Sequence, residues 1–289
     1  MHSVIIRYSE LGLKSNFVRK MFEKKLVENL KKHFHKEGAV FEKILRFHSR
    51  IVILTRNPRK IMKISLNTFG VKNVSISKRI SNDLEVIKKE SANLLKKRKF
   101  KTFRITTQRI YKKYPYTSMQ VNKEVGAYIL KKINKARVRL ENPNINIGVE
   151  ILEKDAFLFF EKKKGVGGLP VGVEGRVLCL IQNNRQASLK DSIISALLLM
   201  RRGCSIDVVS LNKKYKIDVL KKFSPEKINY FVSAKSKLND LVKEYDAFVT
   251  GEKINNLKEW HKIDDIIEAI VLRPLCVVPR SYFEKIFKI

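Results

Sequence analysis

The chain has 289 residues, 44% of them hydrophobic, so it is long enough for two or three domains and is not a disordered polyelectrolyte. Lys and Arg total 61 against 28 Asp and Glu, a formal net charge of +33 that is typical of proteins with a polyanionic partner. The three cysteines are widely separated with no Cys-x-x-Cys pair, which argues against a disulfide framework or a zinc site. Neither a signal-peptide pattern nor a run long enough to span a membrane occurs, so we expect a cytoplasmic protein.

The first 77 residues contain elements in the order β-α-β-β-α-β, which is typical of a ferredoxin-like sandwich. The first predicted helix is capped by Ser15 and has apolar residues every four positions from Val18 to Phe34. The second helix begins at Pro58 and ends before Gly70. Strands are predicted over 4–8, 40–46, 50–55 and 71–77.

A second α/β domain is predicted over residues 78–164. Asp83 is the expected N-cap of one helix, and Ser118 is the expected cap of another that reaches Lys132. Strands are predicted over 102–107, 145–152 and 156–160. The charge run Lys96-Lys-Arg-Lys99 marks the end of the first helix.

Residues 165–175 hold five of the chain's 12 glycines and are expected to form a hinge or linker. In residues 176–289, strands alternate with helices, which predicts a doubly wound parallel sheet. The strands are predicted over 176–181, 205–210, 228–233, 247–249 and 270–272, and the helices over 191–202, 236–244 and 256–268. The basic excess is +25 before residue 176 and +8 after it.

Five segments in collinear order carry a family resemblance. Residues 6–14 read Ile-Arg-Tyr-Ser-Glu-Leu-Gly-Leu-Lys, and residues 104–109 read Arg-Ile-Thr-Thr-Gln-Arg. Gly168-Leu-Pro-Val-Gly172, Thr250-Gly-Glu252 and Val271-Leu-Arg-Pro-Leu275 follow. On these segments, the chain resembles the 4-thiouridine synthetase (ThiI) family over essentially its whole length. The resemblance implies α+β and α/β folds: a ferredoxin-like domain (1–77), a THUMP domain (78–164), the linker, and a Rossmann-like, PP-loop-type domain (176–289).

The resemblance implies that, in active family members, a Ser-Gly-Gly-x-Asp-Ser loop binds the ATP phosphates. It also implies that a uridine of a transfer RNA (tRNA) is adenylated before sulfur arrives. Alignment back from Gly203 places the Asp-Ser pair on Asp191 and Ser192, the nucleotide-binding candidates, and Ser-Gly-Gly on Ala187-Ser-Leu189. Glycines allow the backbone to approach a phosphate closely, and here they are missing. We expect the branched side chain of Leu189 to lie where the phosphate would bind. ATP and Mg²⁺ are therefore expected only if a variant loop functions, and Asp191 and Ser192 have a simpler role in capping the helix.

No thiol matches a family catalytic cysteine, and Cys276 is the weak candidate. Cys179 lies in an apolar strand and is expected to pack in the core. No metal site is predicted.

RNA binding is the firmer expectation. Arginine suits phosphate because its planar fork matches the geometry of phosphate oxygens. The predicted RNA-binding residues come from strand ends and the THUMP core: Arg7, Lys14, Arg46, Arg50, Arg104, Arg109, Lys112 and Lys113. Tyr111, Tyr114 or Tyr116 is expected to stack on an unpaired base.

The leading hypothesis is a tRNA-binding protein with a degenerate ATP loop, acting alone or beside a separate sulfur-transfer or modification enzyme. An active tRNA sulfurtransferase with a variant loop, and a general RNA- or ribosome-binding protein, are the alternatives. The resemblance also allows a homodimer.

Overall fold

A computed structural model describes residues 2–8, 15–47, 49–184, 187–211, 213–253, 263–276 and 280–287. Its contacts divide the chain into two compact units. Unit 1 comprises Met1–Arg7, Ala39–Lys63 and Asn73–Lys164, and unit 2 comprises Tyr8–Gly38, Ile64–Lys72 and Gly165–Ile289. No helix in the described ranges has both the length and the apolarity needed to cross a bilayer.

The helices and strands follow the predicted order closely. The strands are β1 (His2–Arg7), β2 (Lys43–Phe47), β3 (Arg50–Leu54), β4 (Asn73–Ser81), β5 (Thr102–Arg109), β6 (Arg137–Val138), β7 (Ile145–Ile151), β8 (Asp155–Phe159), β9 (Lys163–Lys164), β10 (Arg176–Leu180), β11 (Ser205–Leu211), β12 (Tyr230–Ser233), β13 (Ala247–Val249) and β14 (Val271–Leu272). The helices are α1 (Asn16–Lys36), α2 (Pro58–Leu66), α3 (Leu84–Lys96), α4 (Ser118–Lys132), α5 (Leu189–Arg201), α6 (Asp218–Phe223), α7 (Leu238–Val242) and α8 (Arg280–Phe287).

Unit 1 is organised around one nine-stranded sheet of order β2-β3-β1-β4-β8-β7-β5-β6, with β9 paired to β4. The antiparallel order β2-β3-β1-β4 is that of the predicted ferredoxin-like sandwich, which is confirmed. Strand β4 pairs with β1 on one side and with β8 on the other, so the two predicted N-terminal domains share a continuous sheet. The predicted boundary between residues 77 and 78 falls within β4.

Helices α3 and α4 pack on one face of this sheet, over residues such as Phe103, Ile147 and Leu158. Asp83 caps α3 as predicted, accepting from the Val86 N–H. The predicted cap of α4 is wrong, because Thr117 rather than Ser118 is the N-cap. Thr117 is three residues before Gln120, whose side chain accepts from the Thr117 N–H and completes a capping box.

The opposite face of the sheet is concave and encloses its own core, which includes Ile5, Val52 and Phe157. Arg50 on β3 donates to Gln108 on β5 at 3.2 Å, although β1, β4, β8 and β7 separate these strands in the sheet. The sheet must therefore curl until strands distant in its order meet. Gly148 permits close packing here, since a Cβ at this position would lie 2.3 Å from the Phe159 ring.

A buried ion cluster lies in the concave face, centred on Glu150 with 1% of its surface exposed. Its two carboxylate oxygens accept from Arg7 Nε on β1 and Arg50 Nε on β3, each at 2.6 Å. Lys162 Nζ lies 3.7 Å from Glu150 Oε1. Burial raises the pKa of Glu150, but the charges and hydrogen bonds of Arg7 and Arg50 outweigh it and hold this pKa below its ordinary value.

Unit 2 contains a five-stranded parallel sheet of order β12-β11-β10-β13-β14, which confirms the predicted doubly wound fold. Two hydrophobic clusters use its strands, one with Cys179, Ile194 and Leu220, the other with Leu178 and Phe248. Helix α1 also belongs to unit 2, where Asn29 Nδ2 donates to the Val171 carbonyl at 2.9 Å. Most of the predicted helix over 256–268 lies outside the described residues. Helices α6 and α8 were not predicted.

The glycine-rich stretch, residues 165–175, which we expect to form a hinge or linker, is hydrogen-bonded along its backbone to the end of α5. The Leu169 N–H donates to the Arg201 carbonyl at 2.9 Å, and the Gly172 N–H donates to the Gly203 carbonyl at 2.7 Å. A Cβ at Gly168 would lie 2.2 Å from the Arg201 carbonyl oxygen, and the φ of Gly168 is +77°. The glycines therefore let the chain run close to the end of α5.

Substitution G168A should lower the free energy of unfolding of unit 2 by roughly 2–3 kcal/mol, because Ala is strained at positive φ and its Cβ meets backbone. G126A is the matched control, since no atom lies within 4 Å of an added Cβ in the middle of α4. It should be neutral or stabilising by up to about 1 kcal/mol. Urea unfolding followed by circular dichroism measures both changes. Equal stability of the two variants would contradict the assigned close approach.

Substitution E150Q should destabilise unit 1 by about 3–5 kcal/mol at pH 7, because Arg7 and Arg50 remain as unpaired buried charges. The depressed folded-state pKa means that the contribution of Glu150 is fully present above the unfolded pKa of about 4.3. It is lost as the pH falls through the folded value. Urea titrations between pH 7 and pH 3 should therefore show a shallower acid-induced loss of stability in E150Q than in wild type. E161Q, which changes an exposed carboxylate, should follow wild type, and a wild-type acid profile in E150Q would reject the assignment.

Candidate functional site

The predicted RNA-binding residues Arg7 and Arg50 are buried, with 4% and 6% of their surfaces exposed. Both hold Glu150, and Arg7 also donates to Asn73 and Ser75 on β4. One guanidinium nitrogen of Arg7, Nη2, has no hydrogen-bond partner among the described residues. The structure thus brings Arg7 and Arg50 together inside unit 1, where they stabilise the curled sheet.

The other predicted RNA-binding residues are dispersed. Arg46, Lys112 and Lys113 are exposed, whereas Arg104 and Arg109 are half-buried. Arg104 donates to the Leu140 carbonyl at 2.8 Å and Arg109 donates to the Tyr114 carbonyl at 3.3 Å. Lys14 lies outside the described residues.

The predicted stacking tyrosines differ in their access to solvent. Tyr114 is buried, and its hydroxyl donates to the Asn82 carbonyl at 2.7 Å. Burial raises its pKa, so this hydroxyl stays protonated. Tyr111 packs against the core under α3 and α4. Tyr116 is 40% exposed, with its ring centroid 6.0 Å from that of Tyr114, and is the most exposed of the three.

A cleft of about 1020 Å³ opens in unit 1 between the start of α2, the strands β4 and β8, and the end of α3. We call it the α2–α3 cleft. Its lining is basic and includes one acidic residue, Glu161. The basic residues are Arg56, Arg59, Lys78, Lys97, Arg98 and Lys163.

The cations of the α2–α3 cleft differ in how far they are neutralised. Lys78 is paired with Glu90, and Arg56 lies 3.6 Å from Glu42. The Arg98 guanidinium lies over the Phe160 ring, 3.9 Å from its centroid. Arg59 and Lys97 are exposed and form no ion pair with the described residues. These cations were missed as a site, although the run from Lys96 to Lys99 was visible in the sequence.

The predicted nucleotide loop connects β10 to α5. Ser188 is the N-cap of α5, and Asp191 completes a capping box in which each side chain accepts from the other residue's N–H. The Lys253 ammonium lies 3.0 Å from the second oxygen of Asp191. Burial raises the pKa of Asp191, but hydrogen bonds from Ser188 and Lys253 hold it below its ordinary value.

Ser192 ties the same loop to the end of β10, since its hydroxyl accepts from the Gln182 N–H at 3.1 Å. Leu189, which we expect at the phosphate position, is partly buried and packs against the hydrophobic core. Lys190 pairs with Glu284 at 2.9 Å, and Arg185 lies outside the described residues.

The two C-terminal family segments meet at this loop. Gly251 approaches the start of α5 so closely that a Cβ would lie 2.6 Å from the Ser192 nitrogen. The buried Glu252 accepts from Arg273 Nε at 2.8 Å and from the Thr250 hydroxyl at 3.1 Å.

A phosphate nest needs free backbone N–H groups. At this helix start, the Ser188 and Asp191 N–H groups are satisfied by the capping box. While the capping box is closed, these two N–H groups are not available to an anion.

Two of the three cysteines have thiols whose pKa is raised by burial. Cys179 is buried in the core as predicted, and burial raises its pKa. Burial also raises the pKa of Cys204. Cys276 is half-buried, and its N–H donates to the Arg273 carbonyl at 3.1 Å. The described residues contain no cluster of three or more metal-ligating side chains.

Known proteins match the chain over most of its length. Residues 3–75 match the ThiI ferredoxin-like domain model and residues 81–161 match the THUMP domain model. A probable tRNA sulfurtransferase of Methanocaldococcus jannaschii is 32% identical over 99% of this chain and 87% of that protein. One from Caldanaerobacter subterraneus subsp. tengcongensis is 30% identical over 98% of this chain and 69% of that protein.

Two solved structures resemble the whole chain. The crystal structure of PH1313 from Pyrococcus horikoshii superposes with a TM-score of 0.87 at 27% identity, covering 100% of this chain and 99% of that one. A 4-thiouridine synthetase in complex with RNA and ATP superposes with a TM-score of 0.80 at 25% identity, covering 100% of this chain and 84% of that one. The sequence relatives of this chain and the domain models that match it show that the chain belongs to the tRNA sulfurtransferase, or 4-thiouridine synthetase (ThiI), family.

Proposed function

We propose that this protein binds tRNA through unit 1 and does not itself adenylate uridine. The α2–α3 cleft carries the proposal, because its basic residues come from both the ferredoxin-like and the THUMP parts of the chain. A related 4-thiouridine synthetase forms a complex with RNA, which supports the same partner here.

The chemistry of the cleft suits an RNA backbone. Arg59 and Lys97 are free to replace the counterions of phosphates, which is the main source of affinity for nucleic acid. Arg98, held over Phe160, presents a planar donor group beside an aromatic ring. Such a cleft recognises backbone and shape, so it favours a folded RNA over a small anion.

The loop before α5 supports the second half of the proposal. The N–H groups of Ser188 and Asp191 are held by the capping box, and the Lys253 ammonium pairs with Asp191. Uridine activation at this position would require the helix start to open and to release both interactions. A separate modification enzyme would then act on the bound tRNA.

The double variant R59A/K97A should bind tRNA about tenfold or more weakly near 0.1 M salt. The plot of log K against log salt should lose a slope of roughly 1–2, since each duplex phosphate contact contributes about 0.9. K43A/K154A removes two exposed charges of unit 1 outside the cleft and should match wild type. Filter binding across a salt series measures these values. A salt-independent wild-type affinity would reject RNA binding, and equal affinity for ribosomal RNA fragments would favour general RNA binding.

Wild-type protein should show no tRNA-dependent exchange of pyrophosphate into ATP, because the capping box engages the Ser188 and Asp191 N–H groups that a phosphate nest would use. A family member with an intact Ser-Gly-Gly-x-Asp-Ser loop is the positive control for the radiolabel assay. Exchange above background by this protein would establish a functional variant loop and overturn the proposal. Comparison of thiolated nucleosides in tRNA from wild-type and deletion strains tests the cellular role.

A further inference from the structure

Unit 2 carries a second basic surface that the family segments do not include. A cleft of about 930 Å³ lies between the end of α1, residues 214–218 before and in α6, and β12. A second cleft of about 530 Å³ continues along β12 and shares Lys214, Tyr230 and Phe231 with the first. We call the two together the β12 surface. Its lysines are Lys36, Lys214, Lys216, Lys221, Lys227 and Lys237.

Each acidic residue of the β12 surface forms an ion pair with a lysine of the protein. Glu226 pairs with Lys32 at 2.8 Å and Lys25 at 3.7 Å. Asp240 pairs with Lys243 at 3.3 Å, and Asp218 pairs with Lys221 at 3.6 Å. By contrast, four exposed lysines of the surface form no ion pair with the described residues. These are Lys214, Lys216, Lys227 and Lys237.

Aromatic rings lie among these lysines. Lys214 Nζ is 5.8 Å from the centroid of the half-buried Tyr230 ring, and Lys213 Nζ is 5.4 Å from that of Tyr215. The Tyr230 hydroxyl accepts from the Tyr215 N–H at 2.8 Å, which fixes the two residues relative to each other. An aromatic ring bordered by exposed cations is an arrangement that binds unpaired nucleotides without sequence preference, since every base has a face that can stack.

We propose that the β12 surface is a second RNA-binding site, which contacts phosphates through Lys214, Lys216 and Lys227 and stacks a base on Tyr230. The inference rests on the proposed tRNA partner and extends the RNA footprint to unit 2. RNA explains the surface better than an acidic protein segment does, because phosphate charge and base stacking together use both the lysines and the rings. The surface is also locally basic within the less charged part of the chain, which carries +8 after residue 175.

The test is the binding of full-length protein to tRNA by the triple variant K214A/K216A/K227A. These side chains are exposed, so the fold should be retained, which thermal unfolding checks. The slope of log K against log salt should fall by roughly 2–3 and the affinity near 0.1 M salt by about tenfold or more. K20A/K24A/K285A removes three exposed lysines of unit 2 that line neither cleft and should match wild type. Ultraviolet crosslinking with mass spectrometry should place an RNA adduct on Tyr230 or Tyr215.

The outcomes separate this inference from the proposed function. If wild type binds tRNA and R59A/K97A weakens binding but the triple variant does not, the β12 surface is not an RNA site and its lysines protect an edge strand from pairing. If wild type does not bind tRNA, the proposed function fails and the inference fails with it. If K20A/K24A/K285A weakens binding as much as the triple variant does, diffuse charge rather than the β12 surface is responsible, and the inference is overturned.

Discussion

Unit 1 depends on one buried carboxylate. Glu150 on β7 receives Arg7 from β1 and Arg50 from β3, and these strands belong to the ferredoxin-like part of the sheet. Removing three charges from water is costly, and the arrangement is stable because both carboxylate oxygens are used and the third cation, Lys162, stays partly exposed. The cluster holds the curl of the sheet. The α2–α3 cleft takes its walls from both parts of the same sheet, so its shape depends on that curl.

Local patterns predicted most of the fold, because the signals for helices and strands lie within a few residues of each other. The four-residue spacing from Phe22 to Phe34 predicted α1, whose buried positions include both residues. The curl of the sheet could not be predicted, since it depends on Arg50 meeting Glu150, 100 positions later. The same limit affected the site. Arg7 and Arg50 have the residue type that binds phosphate, but only the fold shows that a carboxylate already occupies them.

The glycines of residues 165–175 serve close backbone packing. The glycine-rich stretch and the predicted phosphate loop are both used to bring backbone segments together around α5, one at each end. At the end of α5, Gly168 and Gly203 allow positive φ and close backbone hydrogen bonds. At its start, Ser188 and Asp191 satisfy the free N–H groups with side chains instead. These hydrogen bonds stabilise the start of α5, and an anion would have to compete with them for the same N–H groups.

Net charge alone does not locate an RNA site on a chain with this many lysines. What distinguishes a binding surface is charge that the protein has not neutralised, held beside a group with a second way to contact a nucleotide. Arg59 and Lys97 beside the Arg98–Phe160 stack meet that condition, as does Lys214 beside Tyr230. Lys32 carries the same charge but does not meet the condition, because Glu28 and Glu226 pair with it. Ion pairing within the protein therefore selects which of its many cations remain available to a polyanion.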